Sequence, residues 1–228
     1  PKNIAKEAKM MWLNYPNNPT GAVATLEDFE KAVDFAKKFD VLLVHDAPYT
    51  DVYFGDHTPP SILEVPGAKE VAVEFNSLSK TYNMAGWRVG YACGNAEVIK
   101  YLKTYKSQMD SSNFTPVLEA ATFAVSSDQT WLKERNRVYA ERRDIIVESL
   151  NKAGVKVSFP EASLYVWAPV PKGYVNAMDF CQKCLEEINV SIAPGNLYGL
   201  ESENYIRISL GCKTARVKEA MLRLVNWL

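Results

Sequence analysis

The sequence lacks long apolar runs and any excess of charge. Its longest apolar runs, such as residues 41–44, fall far short of the roughly 20 residues that a membrane-spanning helix requires. No basic segment followed by an apolar stretch opens the chain, so no secretory signal is recognised. Lysine and arginine number 26 against 27 acidic residues, without the basic excess typical of proteins that bind nucleic acid. We therefore expect a cytoplasmic protein that binds neither membranes nor nucleic acid.

Cysteine and histidine are also scarce. Four cysteines are too few for a disulfide scaffold, and two histidines are too few for a histidine-rich metal site, so we expect no bound metal. Cys181 and Cys184 form a C-x-x-C pair, but they fall on the apolar stripe of an amphipathic helix. We predict buried structural thiols there rather than a zinc or redox pair. Cys93 and Cys212 are predicted to be buried in the same way.

Length and composition indicate a folded protein of one large domain, or of one domain with a smaller partner. The chain has 228 residues, of which 47% are hydrophobic and 23% charged, close to the averages for globular proteins. Residue 1 is proline rather than methionine. We therefore expect that the chain is cut from a longer protein.

Patterns along the chain predict an α/β fold followed by a small α+β domain. In the first half, short apolar runs alternate with helical patterns, which is typical of a mostly parallel sheet with helices. The pattern from about residue 97 to residue 150 is helical, and strands alternate with helices after Gly154. We place the boundary between residues 1–145 and residues 146–228. The predicted strands are residues 10–13, 41–45, 71–75, 89–93, 155–159, 164–167 and 205–210.

Polar residues lie at the ends of the first strands. Asn18 follows the first strand, Asp46 the second and Lys80 the third, while Arg88 directly precedes the fourth. Singly, each has an ordinary interpretation, because asparagine favours turns, aspartate caps helices, and lysine or arginine in loops is solvated. Ligands of open α/β sheets bind beyond the carboxyl ends of the strands, so the joint arrangement predicts a binding site.

An amine, a carboxylate, an arginine and hydroxyl groups together suit pyridoxal 5'-phosphate. A lysine amine bonds to the cofactor's carbonyl, and a carboxylate keeps the pyridine nitrogen protonated. Arginine and hydroxyl groups suit the phosphate. The sequence therefore predicts this cofactor.

Four segments of the sequence resemble the signatures of class I/II aminotransferases, which are fold-type I pyridoxal-phosphate enzymes. The resemblance covers essentially the whole chain and extends to the order and spacing of the segments. The segments are Asn17-Asn18-Pro19-Thr20-Gly21, Asp46-Ala47-Pro48-Tyr49, Ser77-Leu78-Ser79-Lys80-Thr81-Tyr82-Asn83-Met84-Ala85-Gly86-Trp87-Arg88 and Tyr205-Ile206-Arg207-Ile208-Ser209.

The resemblance implies a role for four residues around the cofactor ring. Lys80 forms the Schiff base with the cofactor and then moves the proton between the substrate's α-carbon and the cofactor. Asp46 pairs with the pyridinium nitrogen. Tyr49 and Asn18 hydrogen-bond the phenolic oxygen.

The resemblance also implies which residues hold the two acidic groups of cofactor and substrate. Ser77 and Arg88 bind the phosphate, with Ser79 as a weaker candidate that equally well caps the turn. Arg207 binds the substrate's α-carboxylate with help from Asn18, although a structural ion pair stays open for this arginine.

The aromatic residues near these positions are expected to pack rather than to act. Tyr82, Met84 and Trp87, in the lysine segment, are predicted to be packing residues. Tyr165 and Tyr198 could line the substrate pocket, but we favour core positions for both.

Within the family, the segments around Asp46 and Lys80 look most similar to LL-diaminopimelate aminotransferases and to nearby alanine or aspartate transaminases. The resemblance implies transamination between an amino acid and a 2-oxo acid such as 2-oxoglutarate, with LL-diaminopimelate, aspartate or alanine as the amino donor, and a homodimer. A C–S β-lyase would use the same residues, and a ligand-sensing domain of a transcription regulator is a third alternative.

The position of Asn18 so early in the chain implies that the family's N-terminal region is missing. That region supplies earlier strands, a phosphate-binding loop and an aromatic residue that stacks on the cofactor. We therefore expect a partial large domain, and weak or no cofactor binding by this chain alone.

Overall fold

The computed structural model describes residues 1–228, which divide into two compact units. One unit contains residues 1–16 and 23–132, and the other contains residues 17–22 and 133–228. The short segment 17–22 therefore belongs with the C-terminal half of the chain. The sequence-based boundary at residue 145 falls within a long helix, Trp131–Lys152, and stays a prediction.

The first unit is an α/β layer structure. Its strands are β1 (Met10–Asn14), β2 (Leu42–Asp46), β3 (Ala72–Ser77) and β4 (Gly90–Gly94). Its helices are α1 (Lys2–Glu7), α2 (Leu26–Phe39), α3 (Ala68–Val71), α4 (Leu78–Thr81), α5 (Ala96–Met109) and α6 (Thr115–Ser126), with 3₁₀ turns at Ile62–Glu64 and Ala85–Trp87.

The four strands form one sheet in the order β1-β2-β3-β4. The pairs β1–β2 and β2–β3 are parallel, whereas β4 is antiparallel to β3 with Ser77 opposite Gly90. The start of β4 therefore lies at the same edge of the sheet as the carboxyl end of β3. This mixed but mostly parallel sheet confirms the predicted fold class. Because β4 is antiparallel to β3, Arg88, which precedes β4, lies at the same edge of the sheet as Ser77, which ends β3.

Helix α2 covers one face of this sheet. Thr25 caps its N-terminus in a capping box with Asp28, which satisfies backbone N–H groups that a helix leaves unpaired. Phe29, Val33 and Ala36 form the buried stripe of the helix and pack with buried strand residues such as Leu43. This packing fixes the position of β2, whose last residue is Asp46.

The second unit is a small α+β structure. Its elements are α7 (Trp131–Lys152), β5 (Tyr165–Pro169), α8 (Ala177–Ile188), β6 (Ala193–Pro194), β7 (Tyr205–Ser209) and α9 (Thr214–Trp227), with 3₁₀ turns at Gly195–Tyr198 and Leu200–Ser202. The strands form an antiparallel sheet in the order β5-β7-β6. Alternation along β7 buries Ile206 and Ile208 on one face, which places Arg207 on the other.

The structure corrects three details. The predicted strand 155–159 is absent, because Val157 hydrogen-bonds through its backbone N–H and C=O to the side chain of Asn151 instead of to a strand. Cys93 and Cys212 are exposed rather than buried. Cys93 lies on β4, at the edge of the sheet, and Cys212 lies in the turn before α9.

The C-x-x-C pair lies where it was predicted. Cys181 and Cys184 are free thiols buried on helix α8. Burial raises the pKa of Cys181 to about 12 and that of Cys184 to about 11, so both thiols are protonated and unreactive at neutral pH. Separately, no helix of the chain is both long and apolar enough to span a bilayer.

Candidate functional site

The carboxylate of Asp46 lies at the carboxyl end of β2, on the edge that also carries the end of β3. The side-chain amide of Asn14 donates to the backbone carbonyl of Asp46 at 2.8 Å, and this bond fixes the strand end. Asp46 is part-buried, and burial raises its pKa while the neighbouring charge of His45 opposes the shift. No group of the chain donates a hydrogen bond to this carboxylate, so it suits a ligand with an N–H donor.

Lys80 lies on the short helix α4, which begins directly after β3. Its Nζ atom is 5.9 Å from the centre of the Tyr49 ring. The next residue, Thr81, donates a hydrogen bond at 2.8 Å to the carboxylate of Asp51, in the loop that also carries Tyr49. This bond ties the lysine helix to the loop after β2, and the structure therefore brings Lys80 and Tyr49 together as the resemblance implies.

Ser77, Ser79 and Arg88 have different local environments. Ser77 caps helix α4 by accepting a hydrogen bond from the backbone N–H of Ser79 at 3.2 Å. Ser79 itself is buried. Arg88 is exposed, has a left-handed backbone conformation, and donates to the carbonyl of Ala85 at 2.9 Å. Ser77 and Arg88 share one edge of the sheet, and it is Ser77 rather than Ser79 that caps the turn.

Arg207 is the charged centre of the second unit. Its Nη1 donates to the side-chain oxygen of Asn18 at 3.1 Å. The guanidinium carbon is 3.9 Å from the centre of the Tyr165 ring and 4.8 Å from that of Tyr198. Contacts of this length with two aromatic rings hold a cation in one place.

The Nε atom of Arg207 is buried and has no hydrogen-bond partner. No aspartate or glutamate of the chain forms an ion pair with this guanidinium, so the structure does not show the structural ion pair that the sequence left open. A buried guanidinium with an unused donor suits an anionic ligand, and carboxylate matches the geometry of its donors.

Two aromatic residues were misjudged from the sequence. Tyr165 and Tyr198 are only part-buried and contact Arg207, so the prediction of core positions was wrong. For Tyr165, the alternation of residues along β5 could have indicated a position outside the core. Tyr165 and Trp167 lie on the face of β5 opposite the buried residues Val166 and Ala168, and Trp167 pairs in register with Arg207.

The segment with Asn18 is held within the second unit by Gly21. This glycine has a φ of 76°, and a Cβ atom there would lie 2.6 Å from Cβ of Pro160 and 2.9 Å from the carbonyl oxygen of Ala162. Any other residue would push the segment away. The side chain of Asn17 also accepts a hydrogen bond from the hydroxyl of Thr20 at 2.7 Å. The close packing at Gly21 and the hydrogen bond at Asn17 therefore fix the backbone conformation of the loop that carries Asn18.

Comparison with known proteins gives the class to which this arrangement belongs. Residues 2–224 match the family model described as aminotransferase class I and II. The chain belongs to that family, whose members depend on pyridoxal phosphate. The donor set of the first unit fits this cofactor, since an amine, a part-buried carboxylate without a hydrogen-bond donor, a hydroxyl and a guanidinium lie on successive strand ends.

Among the relatives, the chain is 50% identical over 224 residues to the LL-diaminopimelate aminotransferase of Moorella thermoacetica. It is 47% identical over 227 residues to that of Nitratidesulfovibrio vulgaris strain Hildenborough. The matches cover 98% and 99% of this chain but only 57% and 58% of the relatives. The chain therefore spans a little more than half the length of these relatives.

Two solved structures match the fold over the whole chain. Apo-BacF from Bacillus subtilis has a TM-score of 0.95 at 36% identity, with 58% of that chain covered. A probable N-succinyldiaminopimelate aminotransferase from Thermus thermophilus has a TM-score of 0.92 at 38% identity, with 61% covered. These coverages agree with the expected partial large domain.

Proposed function

We propose that the protein containing this chain is a pyridoxal-phosphate-dependent aminotransferase that exchanges the amino group of an amino acid with a 2-oxo acid, with 2-oxoglutarate as the preferred acceptor. The observation that carries the proposal is the grouping of Lys80, Tyr49 and Asp46 in the first unit. Lys80 follows β3, Asp46 ends the parallel neighbour β2, and Tyr49 follows Asp46 in the next loop. Residues 1–145 form part of the cofactor-binding domain, and residues 146–228 form the small domain.

The bound cofactor supplies an electron-withdrawing ring that stabilises negative charge at the substrate's α-carbon. The carboxylate of Asp46 accepts a hydrogen bond from the protonated ring nitrogen and keeps that proton in place. Lys80 would hold the cofactor at its carbonyl carbon through Nζ, and the same amine would carry the proton at the substrate's α-carbon. Tyr49 would hold the phenolic oxygen by a hydrogen bond, a role that the family resemblance also implies for Asn18.

Arg88 and the hydroxyl of Ser77 would hold the cofactor phosphate, with Ser79 as a lesser contributor. Arg88 now donates to a single backbone carbonyl, so most of its N–H groups are available to a phosphate. Arg207 binds the substrate's α-carboxylate through Nε and a neighbouring N–H group. Asn18 orients the guanidinium by accepting from Nη1.

LL-diaminopimelate is the amino donor that we propose first, with aspartate or alanine as alternatives. Support comes from the identity of about 50% to relatives that carry the name LL-diaminopimelate aminotransferase. We further propose that the enzyme is a cytoplasmic homodimer, as is typical of its family.

A screen of amino donors and 2-oxo acceptors with the intact protein tests this function. We expect glutamate to form from LL-diaminopimelate and 2-oxoglutarate, and Lys80→Ala to abolish it. The exposed lysine variant Lys31→Ala is the matched control and should retain activity. Release of pyruvate and ammonia from cystathionine, without formation of a new amino acid, would instead identify a C–S β-lyase. Unchanged turnover in Lys80→Ala would overturn the proposed chemistry.

A further inference from the structure

His45, which directly precedes Asp46 in the sequence, forms a buried ionisable pair with Glu74, and this pair has no part in the chemistry described above. His45 is fully buried, with its Nδ1 3.0 Å from Oε2 of Glu74 on the neighbouring strand. Its Nε2 is 2.9 Å from the backbone carbonyl oxygen of Tyr15. The ring of Phe29 packs against the imidazole edge-on at 4.8 Å. Both ring nitrogens therefore face oxygen atoms in a dry environment.

The hydrogen bonds determine where the protons lie. A carbonyl oxygen only accepts, so the Nε2 of His45 must carry a proton. The hydroxyl of Ser61 accepts from the backbone N–H of Leu63 and points its own proton at Glu74, 2.6 Å away. The amide of Asn76 also donates to Glu74, at 3.1 Å.

Glu74 thus accepts a hydrogen bond from two neighbours, which favours the ionised carboxylate. Burial alone would raise the pKa of Glu74, but the hydrogen bonds from His45 and Ser61 and the charge of His45 outweigh it, and the pKa lies below its usual value. An ionised Glu74 has no proton to donate to Nδ1, so the 3.0 Å contact is a hydrogen bond only where Nδ1 is the donor, in addition to Nε2. A buried carboxylate paired with an imidazolium satisfies the requirement that buried charges be matched.

The charge on His45 acts on Asp46. The two residues are consecutive on β2, with side chains on opposite faces of the sheet. On the Glu74 side, the groups that face the pair from β4 are Cys93 and Tyr91. Burial, with a smaller contribution from Glu74, raises the pKa of Cys93. Burial, with smaller contributions from Asp51, Cys93 and Glu74, raises the pKa of Tyr91 to about 12, so both groups are neutral near pH 7.

We propose that Glu74 holds His45 as an imidazolium and that this buried cation keeps Asp46 ionised at the edge of the sheet. His45 and Glu74 are then positioning residues that act through Asp46 and touch neither cofactor nor substrate. The consequence for catalysis rests on the proposed function, because only there does Asp46 pair with the cofactor's ring nitrogen. The charge state itself is a property of the chain.

Nitrogen NMR of histidine in the intact, cofactor-free protein tests the charge state directly. We expect the His45 signal, assigned by its loss in His45→Asn, to show two protonated ring nitrogens at neutral pH. A neutral tautomer would overturn the proposal. This measurement is made on the wild-type protein, so it stands even if variants of the buried pair fold poorly.

Titration of the Asp46 carboxyl carbon, followed by carbon NMR in Glu74→Gln, tests the action on Asp46. Removing an anion would by itself lower the pKa of Asp46. We expect a rise instead, because the nearer cation on His45 is lost together with its partner. A matched surface variant, Glu70→Gln, removes a carboxylate that pairs with Lys37 at 3.0 Å and should leave the Asp46 titration unchanged. A fall or no change in Glu74→Gln would overturn the proposal.

These readouts fail independently of the proposed function. A diprotonated His45 and the expected rise at Asp46, in a protein without transaminase activity, would uphold the inference and refute the function. Transaminase activity with a neutral His45 would do the reverse. In an active enzyme, Glu74→Gln should weaken equilibrium binding of pyridoxal phosphate by about tenfold, as expected when a charge-assisted hydrogen bond is weakened.

Discussion

Asp46 and Arg207 are both charged groups with unused hydrogen-bonding capacity. The chain stabilises the charge of Asp46, whereas it fixes the position of Arg207. Asp46 ends a strand of a mostly parallel sheet, and its support is electrostatic, from the buried His45 on the opposite face of the same strand. Arg207 lies within an antiparallel strand, and its support is geometric, from two tyrosine rings and the side chain of Asn18.

This difference predicts different kinetic consequences. The guanidinium of Arg207 is held in place but is paired with no carboxylate of the chain, so it suits an anionic group of the substrate. Such a contact stabilises the bound substrate and the transition state equally. The carboxylate of Asp46, which the neighbouring His45 keeps ionised, suits a partner such as the cofactor's ring nitrogen, whose protonation matters during the reaction. Substitutions at Asp46 should therefore affect mainly kcat, and substitutions at Arg207 mainly KM.

Asp46→Asn should have the largest effect. An amide cannot hold the ring nitrogen's proton, so we expect kcat to fall by about 10²–10³-fold, the usual loss when a preorganised electrostatic contact is removed. Steady-state kinetics of the intact protein with saturating cofactor measure this. Asp34→Asn, at an exposed position on α2, is the matched control. A change confined to KM in Asp46→Asn would contradict the distinct roles expected for Asp46 and Arg207.

Arg207→Lys should have the next largest effect. Lysine keeps the positive charge but loses the paired donors and the stacking between the tyrosine rings. We expect KM for amino donors to rise by about 10–100-fold, with a much smaller change in kcat. Arg216→Lys, at an exposed position on α9, should behave as wild type. A larger loss in kcat than in KM would show that Arg207 acts on the reacting centre.

Tyr198 should show a smaller effect that depends on its ring. Because a cation over a part-buried aromatic face gains about 0.5–1.4 kcal/mol, Tyr198→Ala should raise KM by about 2–10-fold. Tyr198→Phe retains the ring and should stay within twofold of wild type. Equal losses in the two variants would mean that the hydroxyl, rather than the ring face, supports Arg207.

The smallest effect should be that of Glu74→Gln on the stability of the protein at acid pH. The pKa of Glu74 in the folded protein lies below its ordinary value of 4.5, so Glu74 contributes stability above that pH, which is lost as the pH falls below it. Denaturant unfolding between pH 6 and about pH 3 should therefore show a shallower acid loss in Glu74→Gln than in wild type. An identical pH dependence would remove the evidence for an ionised, hydrogen-bonded Glu74.

Periodicity was sufficient to predict most of the fold. β1, β2, β3, β4, β5 and β7 all lie within two residues of predicted strands, because a buried face imposes a visible pattern. Residues 155–159 have the composition of a strand, but side-chain hydrogen bonds from Asn151 satisfy the backbone of Val157. The two-residue strand β6 is too short to leave any periodicity.

The candidate site was predicted from residue types, whereas its supporting groups were not. The sequence placed Asp46 at the end of a strand, Lys80 shortly after a strand and Arg207 within a strand, and the structure has them there. It allowed Tyr198 to line the substrate pocket, but it did not favour that position or show that this residue, in a 3₁₀ turn, contacts Arg207. The pairing of His45 with Glu74 was equally hidden, because it depends on the register between β2 and β3.

The central claim is that Lys80 is the residue that bonds to the cofactor. The intact protein, saturated with pyridoxal phosphate, is reduced with borohydride, digested and sequenced by tandem mass spectrometry. We expect a phosphopyridoxyl group on the peptide with Ser77, Ser79 and Lys80, located on Lys80 and absent from Lys80→Ala. An adduct on another lysine, or a Lys80 peptide that stays unmodified while the protein turns over its substrate, would contradict it.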